Sequence, residues 1–391
     1  MFKIFVSSLL KQHGIYFSRN VLFRESHKAA VLREIGKPLV LENVKRTELK
    51  ANEVRIKVHY CSLNTTDVQI ITGKHPELII PLPFIPGHEI SGEIVEIGKN
   101  NPNFLKPGDR VIAMNDLQDP NGGLTAEVIV KHRDVWTVPS EVPLREMTVI
   151  PYGHGTALLT FAVHCPLHEN DLLLITAGPA GMGLAAIDVA VNVYKAKVIA
   201  ICDTESSSDL VREKGAYKTI SMNKSFTKIY KDIADAMGDK KAKVVYDAVG
   251  KGLLHLLADF VDVENGKMFS IDPFYNHDKL KSFKPKFDLP KKKERTEAQE
   301  RNAARFIDNV RHVDLYEYPD EDIYRQMISD TIEMRAQGMI AGHISKLFSL
   351  KDIQEAIKFI VEKKCTGKVL IDVKCIDGED CEDEKTKKNN V

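Results

Sequence analysis

The sequence predicts an α/β protein in which an antiparallel, barrel-like domain is followed by a parallel sheet with helices. Three observations carry this. The run Leu172-Leu-Leu-Ile-Thr-Ala-Gly-Pro-Ala-Gly-Met-Gly-Leu184 joins a continuous apolar strand to a glycine turn and a helix start, the pattern of a strand buried on both faces. A second apolar strand, Lys197–Cys202, is followed by Asp203 about twenty residues beyond the turn. Before residue 148 the chain has short alternating strands cut by glycine and proline; after it, strands alternate with helical segments.

Taken in order, the first 27 residues stand apart. No acid precedes Glu25, while Lys3, Lys11, Arg19 and Arg24 are basic and Phe2, Phe5, Leu9 and Leu10 can share a helical face. That composition predicts a mitochondrial transit peptide over 1–27 and a matrix location, with a cytoplasmic location as the alternative. Folded sequence begins at Lys28, and 28–148 reads as the barrel-like domain, with half-buried strands at Glu53–His59, Ser91–Gly98 and Asp109–Ala113.

Residues 149–315 read as the parallel-sheet domain, with further strands at Lys243–Gly250 and Gly266–Ile271. Backbone N–H groups at a helix start, freed of side chains by glycine, favour a pyrophosphate. Ala177, Gly178, Ala180, Gly181, Met182 and Gly183 are therefore the expected dinucleotide seat, and Asp203 the ribose partner. Thr204 and Ser207 follow Asp203. From Lys279 to Arg305 ten basic residues outnumber four acidic ones, which reads as a solvated insertion. Helices follow near Asp322–Gln337 and Leu350–Glu362, the second with Ser349 as its expected N-cap, and Lys368–Val373 is a closing strand. Residues 376–391 read as a disordered tail.

Composition narrows the function. Among 391 residues the 55 basic and 55 acidic side chains cancel, so no net field favours nucleic acid. No apolar run reaches membrane-spanning length. The six cysteines contain no Cys-x-x-Cys pair, which argues against a disulfide scaffold or four-thiolate zinc site.

Several segments together carry a family resemblance. Val58-His-Tyr-Cys-Ser-Leu-Asn-Thr-Thr-Asp67 is similar to a strand and Asn-x-x-Asp turn. Pro81-Leu-Pro-Phe-Ile-Pro-Gly-His-Glu-Ile-Ser-Gly92 and Pro107-Gly-Asp-Arg-Val111 follow in register. Tyr152–Ala157 falls at the entry to the cofactor domain, and Lys364–Leu370 at the last strand. By these the chain resembles the zinc-free quinone oxidoreductase branch of the medium-chain dehydrogenase/reductases. The resemblance implies a doubly wound, Rossmann-type cofactor domain inserted in a GroES-like catalytic barrel to which residues 316–375 return, a homodimer, and NADPH-linked reduction of quinones or related enones. It implies Asn64 beside the nicotinamide with Asp67 nearby, as catalytic residues. Thr156 and Val249 would join the cofactor seat, and Gln69, His75, His88 and His154 the substrate pocket.

Departures from the family pattern set further expectations. Asn64 stands where zinc-dependent relatives need a thiolate, so no zinc is expected; His88, Glu89 and His154 are the alternative metal set. Ser207 replaces the lysine that would hold a 2′-phosphate, and Asp203 repels one. The residues thus tilt toward NAD(H) and the resemblance toward NADP(H), and both stay open. Asp272-Pro273 stands where the family has glycine, and Gln69 and His75 where relatives carry aromatics. Two alternatives to a quinone or enone reductase remain: a dinucleotide-binding sensor or partner protein without turnover, and a mitochondrial enoyl-thioester reductase.

Overall fold

A computed structural model describes residues 26–75, 79–101, 104–178, 181–250, 252–272, 275, 277–282, 296–316 and 318–374. Residues 1–25 of the expected transit peptide, Ala180, residues 283–295 of the basic insertion and the expected tail 376–391 lie outside these residues.

The parallel sheet is built from β8 (Leu172–Ala177), β9 (Lys197–Cys202), β10 (Lys218–Ser221), β11 (Val244–Asp247), β12 (Lys267–Ser270) and β13 (Arg311–His312). Their spatial order is β10-β9-β8-β11-β12-β13, with every pair parallel. Counted from β8, this is the doubly wound order 3-2-1-4-5-6, which reverses direction between its first and fourth strands. All six residues of β8 are buried, as its unbroken apolar run requires. Alternate residues serve opposite faces: Leu173 and Ile175 join one core with Val198 and Ala200, while Leu172 and Leu174 join another with Ile199 and Ile201. Helices cover both layers. The one over Phe226–Met237 is capped by the Ser225 side chain and buries Ile229, Ile233 and Met237.

The second sheet contains β3 (Glu53–Leu63), β4 (Glu89–Ile97), β5 (Arg110–Met114), β6 (Glu127–Lys131) and β7 (Val135–Thr137), joined by β14 (Ile344–Ser349) and β15 (Lys368–Asp372). A separate hairpin-like pair, β1 (Ser26–Val31) and β2 (Val40–Lys45), closes one side. β15 pairs antiparallel with β3, Val369 opposite Leu63 and Ile371 opposite Cys61. β4 flanks β3 on its other side, with Glu89 opposite Ser62. The C-terminal segment is thus laid beside a strand more than three hundred residues earlier, and these three strand ends meet at the domain boundary.

Most elements sit within a few residues of where the sequence places them. The helix expected from Leu350 is corrected in detail: a 3-10 turn over Leu350–Asp352 precedes a helix at Ile353–Val361. Ser349 caps no helix with its side chain; its hydroxyl donates to Asp352 Oδ2 at 3.0 Å. The end of the basic insertion opens a helix from Glu297 to Asp308, with Thr296 and Gln299 in a capping box.

Candidate active site

The glycine turn is shaped as an anion seat. Gly181 has φ +89°, a left-handed conformation that side chains rarely adopt, and it precedes the helix Met182–Asp188. A Cβ on Gly183 would lie 2.5 Å from the Thr176 carbonyl oxygen, so only glycine lets the helix pack this closely on β8. A Cβ on Gly178 would lie 3.1 Å from Val249, at the end of β11. The turn therefore sits at the point where the strand order reverses, outside the strands' carboxyl ends, where open α/β sheets bind ligands.

From this turn a cleft of about 390 Å³ runs between the two domains. Asn64, Gln69 and Tyr152 line one part, and Gly178, Met182 and Asp203 another. Val249 and Asp272 also line it, as do Lys74 and Lys363. Those two cations were not read from the sequence, because each lies far along the chain from Asp203. Thr204 and Ser207 serve locally instead. The Thr204 hydroxyl caps the helix Glu205–Glu213 by accepting the Ser207 N–H at 3.1 Å, and donates to Ser207 Oγ at 2.7 Å. Ser207 is wholly buried, so the lysine position of the family pattern faces the interior here. The Thr156 hydroxyl likewise turns back to the Tyr152 carbonyl at 2.7 Å.

Asn64 is the N-cap residue of the helix Thr65–Ile71. Its N–H donates to Asp67 Oδ2 at 2.7 Å, the return half of a capping box. The other Asp67 oxygen accepts the Gly87 N–H at 3.1 Å and faces His88 Nδ1 at 3.1 Å. With Nδ1–H spent on Asp67, His88 Nε2 is the acceptor for Asn64 Nδ2 at 3.2 Å. Asn64 Nδ2 also donates to Glu89 Oε2 at 2.9 Å. Lys368 donates to that same oxygen at 2.8 Å and to Asn64 Oδ1. Glu89 Oε1 accepts the Tyr152 N–H at 3.0 Å, which ties the cluster to the cofactor domain.

All five side chains are buried. Burial works to raise the Glu89 carboxyl, but Lys368, His88 and the hydrogen bonds from Lys368 and Asn64 outweigh it and hold it below the usual range. Burial likewise disfavours a charged His88, and the Asp67 carboxylate outweighs it, so the ring titrates above the ordinary histidine value. Asp247, under the cleft floor at the end of β11, is pushed up to about 6 by burial.

The remaining expected residues divide. His88 joins the cluster and Gln69 the cleft, whereas His75 follows the Thr65–Ile71 helix, with its N–H on the Gln69 carbonyl at 3.2 Å. His154 is elsewhere: its ring nitrogens face the Ile150 carbonyl and Asp188 Oδ2, each at 3.1 Å. The alternative metal set of His88, Glu89 and His154 is therefore not assembled. Among the described residues no three His, Cys, Asp or Glu side chains are grouped as a metal site. The donor chemistry at Asn64 also fits zinc poorly: an amide replaces a thiolate, the adjacent imidazole is committed at both nitrogens, and an ammonium contacts the carboxylate. By contrast the glycine turn fits a dinucleotide, since Gly181 takes a left-handed φ at the helix start and Gly183 lets that helix pack close on β8.

Comparison with known proteins places these features in a family. The alcohol dehydrogenase GroES-like domain family matches residues 50–140, and the zinc-binding dehydrogenase family matches 205–371. Quinone oxidoreductase-like protein 2 of Bos taurus is 29% identical over 353 residues, covering 89% of this chain and 93% of that protein. Its homolog from Nematostella vectensis is 30% identical over 358 residues, 90% of each. Escherichia coli quinone oxidoreductase complexed with NADPH shares the fold, with a TM-score of 0.71 at 18% identity, over 89% of this chain and 100% of that one.

Proposed function

Because the chain belongs to the medium-chain dehydrogenase/reductase family, we propose that it is an NAD(P)H-dependent oxidoreductase that reduces a quinone or an α,β-unsaturated carbonyl, without bound zinc. One observation carries the reading: a single cleft has the glycine turn and Asp203 along one part and Asn64 along another. A dinucleotide bound there supplies the hydride. The protein's share is to hold the reactants and keep the site dry.

A second hollow, of about 420 Å³, lies beside the first cleft. Met114, Leu117, Tyr316, Tyr318 and Tyr324 line it. Tyr316 lies 4.9 Å, centroid to centroid, from Tyr152, which lines the first cleft. Asp116, Lys131, Arg133, Asp134 and Glu321 also line the second hollow, which sets tyrosine rings beside charged groups. Asp203 supports NADH, while Lys74 and Lys363 in the same cleft support NADPH, so both cofactors belong to the proposal. The basic N-terminal stretch supports a mitochondrial matrix location, and the family resemblance supports a homodimer; cell fractionation and sedimentation test these.

The deciding experiment supplies purified protein with NADH or NADPH and a panel of quinones and enones, following cofactor oxidation. Turnover with at least one acceptor is expected. Folded protein that binds dinucleotide yet reduces nothing in the panel overturns the reading. Stoichiometric zinc that tracks activity through chelation and re-addition overturns its metal-free part.

A further inference from the structure

Glu89 and Lys368 form a buried ion pair that the sequence analysis gave no role. Their side chains are 1% and 5% exposed and meet at 2.8 Å. A buried ion pair is an expensive way to fill space, and apolar residues of similar volume often stabilise a fold more. Here the pair is built into a site. The antiparallel register of β15 on β3, continued one step beyond Val369 and Leu63, sets Lys368 opposite Asn64. The Lys368 ammonium holds Asn64 Oδ1, and Glu89 Oε2 holds Asn64 Nδ2, so the two charges grip the amide from opposite ends. The same lysine touches the cofactor side: a Cβ on Gly181 would lie 3.5 Å from Lys368 Cγ. Its Nζ stands 5.7 Å from the centroid of the Tyr152 ring, which lines the cleft.

We propose that Lys368 is a positioning residue of the hydride-transfer site, a built-in cation that orients the Asn64 amide and pairs with Glu89 where no metal fits. The inference rests on the oxidoreductase reading above. It assigns a role to a residue that sequence inspection treats as the first residue of an ordinary strand. An amide with both ends held cannot rotate, so the turn that faces the cleft keeps one hydrogen-bonding pattern as reactants enter and leave. Replacing the cation by an apolar side chain frees the amide and strands a carboxylate among His88, Tyr152 and Tyr316.

The test compares full-length wild type with Lys368→Met, Lys368→Arg and the double variant Lys368→Met/Glu89→Gln. Three quantities are read: dinucleotide affinity by fluorescence titration, kcat and KM with a naphthoquinone and cyclohexenone, and solvent protection of the Asn64 side-chain amide by NMR. Lys368→Met is expected to lower kcat by more than about thirtyfold, with dinucleotide affinity and acceptor KM within about threefold, and to expose the Asn64 amide to exchange. Lys368→Arg should retain most of the protection. The double variant, which removes the stranded charge, should recover melting temperature but not kcat. Recovery of both by the double variant overturns the proposal, because the pair would then be structural. Unchanged amide protection in Lys368→Met also overturns it, and that readout stands even if wild type turns over none of the acceptors. Absence of turnover in wild type, with the amide protection behaving as expected, counts against the oxidoreductase reading alone.

Discussion

Lys368 donates its ammonium to the Asn64 side-chain oxygen across 304 residues of chain. The contact closes the catalytic turn with a residue from the final strand, and it shows how the split domain works. The N-terminal portion provides the turn and the C-terminal return provides its clamp. Cutting the chain before β15 removes both a strand and the cation of the site.

The dinucleotide seat is testable at its glycines. Gly181→Val forces a side chain into φ +89°, and Gly183→Val sets a branched side chain against the Thr176 carbonyl. Either change should abolish binding of NADH and NADPH in calorimetry while leaving the barrel intact. Wild-type affinity in both variants would place the dinucleotide elsewhere.

Removing Asn64 should separate chemistry from binding. The amide is the meeting point of Glu89, His88 and Lys368, so Asn64→Ala should lower kcat by about a hundredfold, the scale of losing one oriented donor. Dinucleotide affinity should change little. Equal losses in affinity and kcat would make Asn64 a binding residue only.

Cofactor choice should respond to the charge beside the ribose. Ser207 is buried, so a lysine there would have to displace the helix; the exposed neighbour Ser206 is the better carrier. Asp203→Gly with Ser206→Lys should shift the kcat/KM ratio toward NADPH by more than about tenfold, near 1.4 kcal/mol. An unchanged ratio would shift attention to Lys74 and Lys363 on the facing wall.

Asp188 predicts an acid limit of stability. Burial would raise its carboxyl, but the hydrogen bond from His154 leads a set that includes Lys214 and the Ala341 N–H, and holds it down at about 2. A depressed carboxylate contributes stability above its unfolded value of 3.8, and that contribution is lost as pH falls toward 2. Asp188→Asn should therefore cost about 2 kcal/mol at neutral pH in urea unfolding, with the gap to wild type narrowing from about pH 4 to pH 2. A gap that does not change with pH would deny the ion pair this role.

The sequence by itself determined the parallel sheet, the glycine turn and Asp203, while the Asn64–Asp67 turn came through the family resemblance. The first three are local: an apolar run or a glycine spacing declares itself within ten or twenty residues, because backbone sterics and burial act over that range. It did not reveal Lys368, which looks like any polar residue opening a strand, nor Lys74 and Lys363 in the cleft wall. It also set His154 among the pocket residues, although that ring is spent on Asp188. Only the tertiary structure decided these points. Strand register sets which side chains meet across the β3–β15 pair, and helix packing sets which way a histidine points. Both depend on partners hundreds of residues away, and no local pattern carries that information.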